Sequence, residues 1–200
     1  RTYMGATGNA SYGYFAGGEA GPGTYKSSID RIDYSNDTAT AAAKGSLTLS
    51  IFKGTAAGNS SYGYNAGGSN YPSGAYSSVQ RIEYANDTPN TSPKGNLTIS
   101  RYTHGAAGTQ SYGYFTGSSP ASSTNASTLN RIDYSNDTPT AALKGNMSTA
   151  RYAPTASGNA SYGYWAGGRD TAPATTSIVD RVDYGNDTAT MVAKGPLISA

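Results

Sequence analysis

The chain has 200 residues, and its 14 Lys and Arg against 12 Asp and Glu leave a net charge of only +2, with no cysteine. Charge so small and so dispersed offers no basic stripe for nucleic acid, and missing thiols exclude disulfides, a cysteine nucleophile and a Cys-based metal site. No apolar run approaches the ~20 residues of a membrane-spanning helix.

Leu, Ile, Val and Phe total only 21, whereas Tyr alone supplies 18, so a core must be assembled from Tyr, Ala, Gly and a few Ile. One 50-residue unit recurs four times in phase, without insertion or deletion. Ser-Tyr-Gly-Tyr stands at 11–14, 61–64, 111–114 and 161–164, Asn-Asp-Thr at 36–38, 86–88, 136–138 and 186–188, and Lys-Gly at 44–45, 94–95, 144–145 and 194–195. A fixed period of this length denotes one supersecondary unit whose copies cover one another's apolar faces. Residues 1–200 therefore form a single repeat domain with units at 1–50, 51–100, 101–150 and 151–200. Starting at Arg1 and stopping on a unit boundary, the chain reads as a processed form or an excerpt of a longer array.

Within the unit 101–150, Gly105–Gly108 and Ser111–Gly117 read as two short strands around a turn at Thr109-Gln110. Alternation puts Tyr112 and Tyr114 on one face, and Gly113, Phe115 and Gly117 on the other, where glycine admits close approach of another backbone. A Ser-, Pro- and Ala-rich loop, 118–126, precedes the strand Ser127–Tyr134. Asn136-Asp137 is a turn pair, Thr138–Leu143 a weaker fourth strand, and Lys144-Gly145 a turn into the next unit. Four short strands punctuated every ~8–12 residues make the blade of a β-propeller, with a β-solenoid or an open repeat array as the competing all-β folds.

The unit resembles a kelch repeat. The Gly pairs 17–18, 67–68 and 167–168, replaced by Gly117-Ser118 in the third unit, match its glycine pair. Tyr34, Tyr84, Tyr134 and Tyr184 match its second aromatic position, and Arg101 with His104-Gly105 the start of a following blade; the kelch Trp after the turn is missing throughout. Arg-Ile-Asp-Tyr-Ser-Asn-Asp-Thr with Tyr-Gly-Tyr-Phe upstream is similar to Tyr/Gly-rich repeats in virion structural proteins of marine tailed phages, cyanophages especially. The resemblance covers all four units. It implies a kelch-like propeller of four four-stranded blades, acting as an interaction platform located in a virion or outside the cell.

Constant positions serve the scaffold first: Tyr12, Tyr14, Arg31, Tyr34, Asn36, Asp37 and Gly45 and their equivalents. Arg31, Arg81, Arg131 and Arg181 precede acids by two residues, and a ladder of ion pairs pinning each blade to its turn is favoured over a ring of anion-binding guanidiniums. The Asn-Asp-Thr turns supply too few convergent oxygens for calcium. His104 stands alone, without a partner acid at motif spacing, so no catalytic residue, metal or cofactor is expected.

The units diverge most at 19–26, 69–76, 119–126 and 169–176. Variable loops on a constant scaffold are where recognition resides, which nominates Tyr25, Tyr71, Tyr76, Arg169 and Asp170 for binding. The expected function is a non-enzymatic virion structural or tail-associated module. Its expected partners are other virion subunits, itself, or a host receptor, and the alternative is a lectin-like, glycan-binding propeller. Nucleic acid and a membrane span are not expected.

Overall fold

A computed structural model describes residues 1–117, 125–170 and 174–199. The first unit contains β1 (Gly5–Gly8), β2 (Tyr12–Ala16), β3 (Ser28–Asp33) and β4 (Ala42–Ser46). The second contains β5 (Thr55–Gly58), β6 (Tyr62–Ala66), β7 (Ser69–Asn70), β8 (Gly74–Ala75), β9 (Val79–Glu83) and β10 (Ser92–Lys94). The third has β11 (Gly105–Gly108), β12 (Tyr112–Thr116), β13 (Asn130–Asp133) and β14 (Ala142–Leu143), and the fourth has β15 (Thr155–Gly158), β16 (Tyr162–Ala166), β17 (Val179–Asp183) and β18 (Val192–Lys194). Each unit folds into a four-stranded antiparallel meander, and β7 pairs with β8 as a small separate hairpin in the 69–76 loop.

The first strands pack side by side, β1 on β5, β5 on β11 and β11 on β15, while no comparable packing brings β15 back onto β1. The architecture is an all-β, propeller-like fold whose four sheets follow one another in an open succession. The apolar clusters lie between units rather than within them. Tyr64, Val79 and Leu97 of the second unit, for example, bury against Ile132, Tyr134 and Ala141 of the third. With so few aliphatic residues per unit, neighbour-on-neighbour packing is the way each sheet encloses apolar surface.

The Tyr-Gly alternation has a specific purpose. Gly13 faces Gly8 in the β1–β2 register, and a Cβ on Gly13 would fall 2.7 Å from the hydroxyl of Tyr34. The equivalents Gly63, Gly113 and Gly163 stand equally close to the hydroxyls of Tyr84, Tyr134 and Tyr184. Glycine thus admits a tyrosine tip of the same unit, where the alternation alone suggested another backbone.

Two expectations are corrected. Lys44-Gly45 is not a turn: both residues lie in β4, and the Gly45 amide donates across to the carbonyl of Asp87 in the next unit. A Cβ on Gly45, Gly95 or Gly145 would sit 1.8 Å or less from a neighbouring-unit carbonyl, which is why β-carbon-free backbone stands there. The expected strand Ser127–Tyr134 is shorter at its start, since β13 begins at Asn130; the loop before it, 118–124, lies outside the described residues.

Candidate functional site

The Arg ladder reaches across units and not, as expected, to each blade's own turn. Arg31 Nη1 lies 2.8 Å from Asp87 Oδ2, Lys44 Nζ 3.1 Å from Asp87 Oδ1, and the Tyr14 hydroxyl donates to the same carboxylate at 2.9 Å. Tyr64, Arg81 and Lys94 repeat this set on Asp137, and Tyr114, Arg131 and Lys144 repeat it on Asp187. Burial by itself raises the Asp137 carboxyl, but the Tyr64 hydroxyl, Lys94 and Arg81 outweigh it and hold the pKa below the ordinary carboxylate value. Burial and the adjacent acid push the Tyr14, Tyr64 and Tyr114 hydroxyls well up, so they remain donors. Each of these rings also stacks on the next unit's tyrosine: Tyr14 on Tyr84 at 4.7 Å, Tyr64 on Tyr134 at 4.5 Å, Tyr114 on Tyr184 at 4.7 Å. Asp33, by contrast, accepts from the amide and hydroxyl of Ser35 and organises its own turn beside Asn36.

His104 is enclosed against Phe115, and burial with Arg101 nearby lowers its pKa well below the usual imidazole range. Among the described residues neither of its nitrogens has a hydrogen-bond partner. Arg101 is fully buried; its guanidinium donates to the carbonyls of Gly117 and Thr128 and to the Thr128 hydroxyl, and burial lowers its pKa to about 10. Arg151 at the equivalent place pairs with buried Asp180 at 2.7 Å. These groups brace the sheets. Among the described residues no three of His, Cys, Asp or Glu converge as a metal site would require.

β2 runs from the hairpin turns towards the variable loops, so the two kinds of loop occupy opposite ends of each sheet. At the hairpin end a cleft of about 880 Å³ is lined by Gln110, Tyr112, Asn159, Tyr162 and Tyr184, among others. Gln110 is already engaged there, accepting from Asn59 Nδ2 and the Ser60 amide.

The variable-loop end carries a group of rings around one ammonium. Tyr25 stacks on Phe52 at 4.6 Å, Tyr3 meets Phe52 edge-on at 6.2 Å, and Lys53 Nζ lies 4.9 Å from the Phe52 ring, 5.1 Å from Tyr3 and 5.8 Å from Tyr102. Three units contribute to this patch, and Tyr3 is exposed. Its geometry comes from an unusual backbone: Tyr3, Lys53, Thr103 and Ala153 all adopt positive φ, between 52° and 58°. Left-handed conformation is costly for β-branched Thr103, and it is held by amide-to-carbonyl bonds of 2.9 Å from Lys53 to Tyr3, Thr103 to Lys53 and Ala153 to Thr103.

Of the nominated binding residues, Tyr25 belongs to this patch. Tyr71 is 79% exposed between β7 and β8, whereas Tyr76 is half-buried against the cluster containing Tyr14 and Ile51 and acts as an anchor. Arg169 donates to the Tyr152 hydroxyl at 3.3 Å, and Asn125 donates to the carbonyls of Arg169 and Asp170. Among the described residues no ring contact joins Tyr25, Tyr71 and Tyr76 to one another. Much of 119–126 and 169–176 lies outside the described residues. Tyr3, Phe52, Lys53 and Tyr102 went unnominated although a signal exists: positions two and three of the units read Thr-Tyr, Phe-Lys, Tyr-Thr and Tyr-Ala, as divergent as the loops.

No known family profile matches the chain, and no curated protein does. A solved structure described as that of YjhT is similar over 99% of this chain and 66% of its own, with a TM-score of 0.80 at 13% identity. The chain therefore spans just under two thirds of that neighbour. Likeness at such low identity shows the shared all-β, propeller-like architecture and leaves the activity to the residues themselves.

Proposed function

We propose that the chain is a non-enzymatic binding scaffold of kelch-like form, in which constant residues build the unit-to-unit junctions and divergent residues at the variable-loop end engage a partner. Following the resemblance to phage repeats, its setting is a virion or tail, where the partner is another virion subunit or the host surface. One observation carries this reading. At the three internal junctions the repeated Tyr, Arg, Lys and Asp side chains are consumed, while the rings around Lys53 come from positions that differ between units, with Tyr3 exposed and Tyr25, Phe52 and Tyr102 partly so. Stacked aromatic faces beside a cation also suit a sugar ring, which favours the lectin-like alternative as a second reading.

The experiment is a glycan array probed with the labelled chain and with a Phe52→Ala/Lys53→Ala variant. Glycan binding lost at least tenfold in the variant supports the lectin-like reading. Absence of glycan binding, together with recovery of the chain from purified virions by mass spectrometry, supports the structural one. Undiminished binding by the variant would remove the patch from either account.

A further inference from the structure

The three internal junctions are built to one plan, and each needs two dissimilar faces. The leading face of a unit offers a tyrosine ring, an aspartate and a small or apolar residue: Tyr84, Asp87 and Thr91 in the second unit. The trailing face of the unit before it offers Tyr14, Arg31, Lys44, Gly45 and Leu47. Backbone hydrogen bonds accompany every junction. In the first, Gly45 donates to Asp87, Thr91 to Ser46, Lys53 to Tyr3 and Gly18 to Ile51; all four recur between units two and three, where Gly68 donates to Arg101, and the first three recur between units three and four.

One leading face and one trailing face are left over. On the first unit Asp37 is exposed and has no ion-pair partner among the described residues, whereas Asp87, Asp137 and Asp187 are buried. Tyr34 is 54% exposed where Tyr84 and Tyr134 are 7% exposed, and Ala41 is exposed where Thr91, Ala141 and Met191 are buried. On the fourth unit Lys194 is exposed, and among the described residues Tyr164 carries no stacked ring and Arg181 has no ion-pair partner, its guanidinium lying 4.4 Å from the Tyr162 ring. Leu197 is 45% exposed where Leu47, Leu97 and Met147 are at most 3% exposed. A Cβ on Gly195 would meet nothing within 4 Å, although its three equivalents are jammed against a neighbour's carbonyl. The two leftover faces are complementary in charge, ring for ring and in the close-approach glycine.

We propose that a second copy of this chain occupies the trailing face, seating its Asp37 among Tyr164, Arg181 and Lys194 and stacking its Tyr34 on Tyr164. The contact is heterologous, so repetition closes a ring or extends a filament according to the rotation per copy. This inference rests on junction geometry and not on what the variable-loop end binds; the patch around Lys53 can fail as a ligand site without touching it.

Two variants test it. Asp37→Arg disables the leading face alone and Gly195→Trp the trailing face alone; both residues are exposed, and among the described residues neither has a side-chain partner to lose. In analytical ultracentrifugation at about 50 μM the wild type is expected at twice its 20.5 kDa mass or more. Each variant alone is expected as a monomer, with association weakened at least tenfold. An equimolar mixture of the two should give a one-to-one dimer that grows no further, because each partner retains the face the other lacks. A monomeric wild type overturns the proposal, as does a mixture that stays monomeric while both variants keep the wild-type circular dichroism. Association that survives Gly195→Trp would place the contact on another face and overturn it equally.

Discussion

Removing the Asp137 side chain tests whether the junctions, more than the separate sheets, hold this molecule together. Asp137→Ala takes the acceptor from the Tyr64 hydroxyl at 2.9 Å, from Arg81 at 2.9 Å and from Lys94 at 3.1 Å. Breaking a buried ion pair by deleting one partner costs about 3–5 kcal/mol, since the remaining charge stays desolvated. Arg81 and Lys94 retain some water access, with side chains 22% and 13% exposed, so the lower end, about 3 kcal/mol, is expected. In a domain of this size that corresponds to a fall in melting temperature of roughly 6–12 °C. Asp37→Ala is the internal control, because it deletes the same residue where no neighbour covers it. Both are measured by calorimetry at pH 7 in a Gly195→Trp background, which closes the association face and keeps the comparison monomeric. Asp37→Ala should shift the transition by about 1 °C or less. A loss below about 1 kcal/mol for Asp137→Ala, or equal losses for the two variants, would refute the junction account.

Gly95→Ala should be severely destabilising, by several kcal/mol, because its Cβ would fall 1.7 Å from the Pro139 carbonyl oxygen, while Gly195→Ala should be near neutral in thermal melts. Similar melting temperatures for the two would contradict the close approach. Acid should weaken the fold in two stages. His104 titrates well below its unfolded value of about 6.5, so the unfolded chain binds the extra proton and stability declines as pH falls from about 6.5. Asp87, Asp137 and Asp187 are depressed, so the stability they contribute is present above the unfolded carboxyl value of about 3.9 and is lost as pH falls through their lower folded values. His104→Gln should abolish the first stage and leave the second, read from melting temperature against pH; a first stage persisting in that variant would refute the assignment.

Much of this was legible along the chain. In-phase landmarks set the unit, its antiparallel strands and the turn positions, because period-two alternation and turn residues act locally and recur identically. The pairing of Arg31 with Asp87 was not legible: spacing within one unit offers Asp33 and Asp37 as nearer candidates, and only the stacking of sheets brings in an acid 56 residues away. Lys44-Gly45 looked like punctuation for the same reason, since glycine at a close approach reads like glycine at a turn until the neighbour's carbonyl is in place. The patch around Lys53 also stayed hidden, as its rings come from three units and meet through a left-handed backbone that residue type does not announce.

The sequence by itself determined a repeated, cysteine-free, tyrosine-built set of four-stranded sheets, since composition and periodicity act through local propensity and burial pattern. Tertiary structure alone decided which faces meet, which charges are enclosed, and which leading and trailing surfaces are left uncovered. Contacts between units depend on the angle and distance at which sheets pack, and neither is encoded in the spacing of residues along one strand.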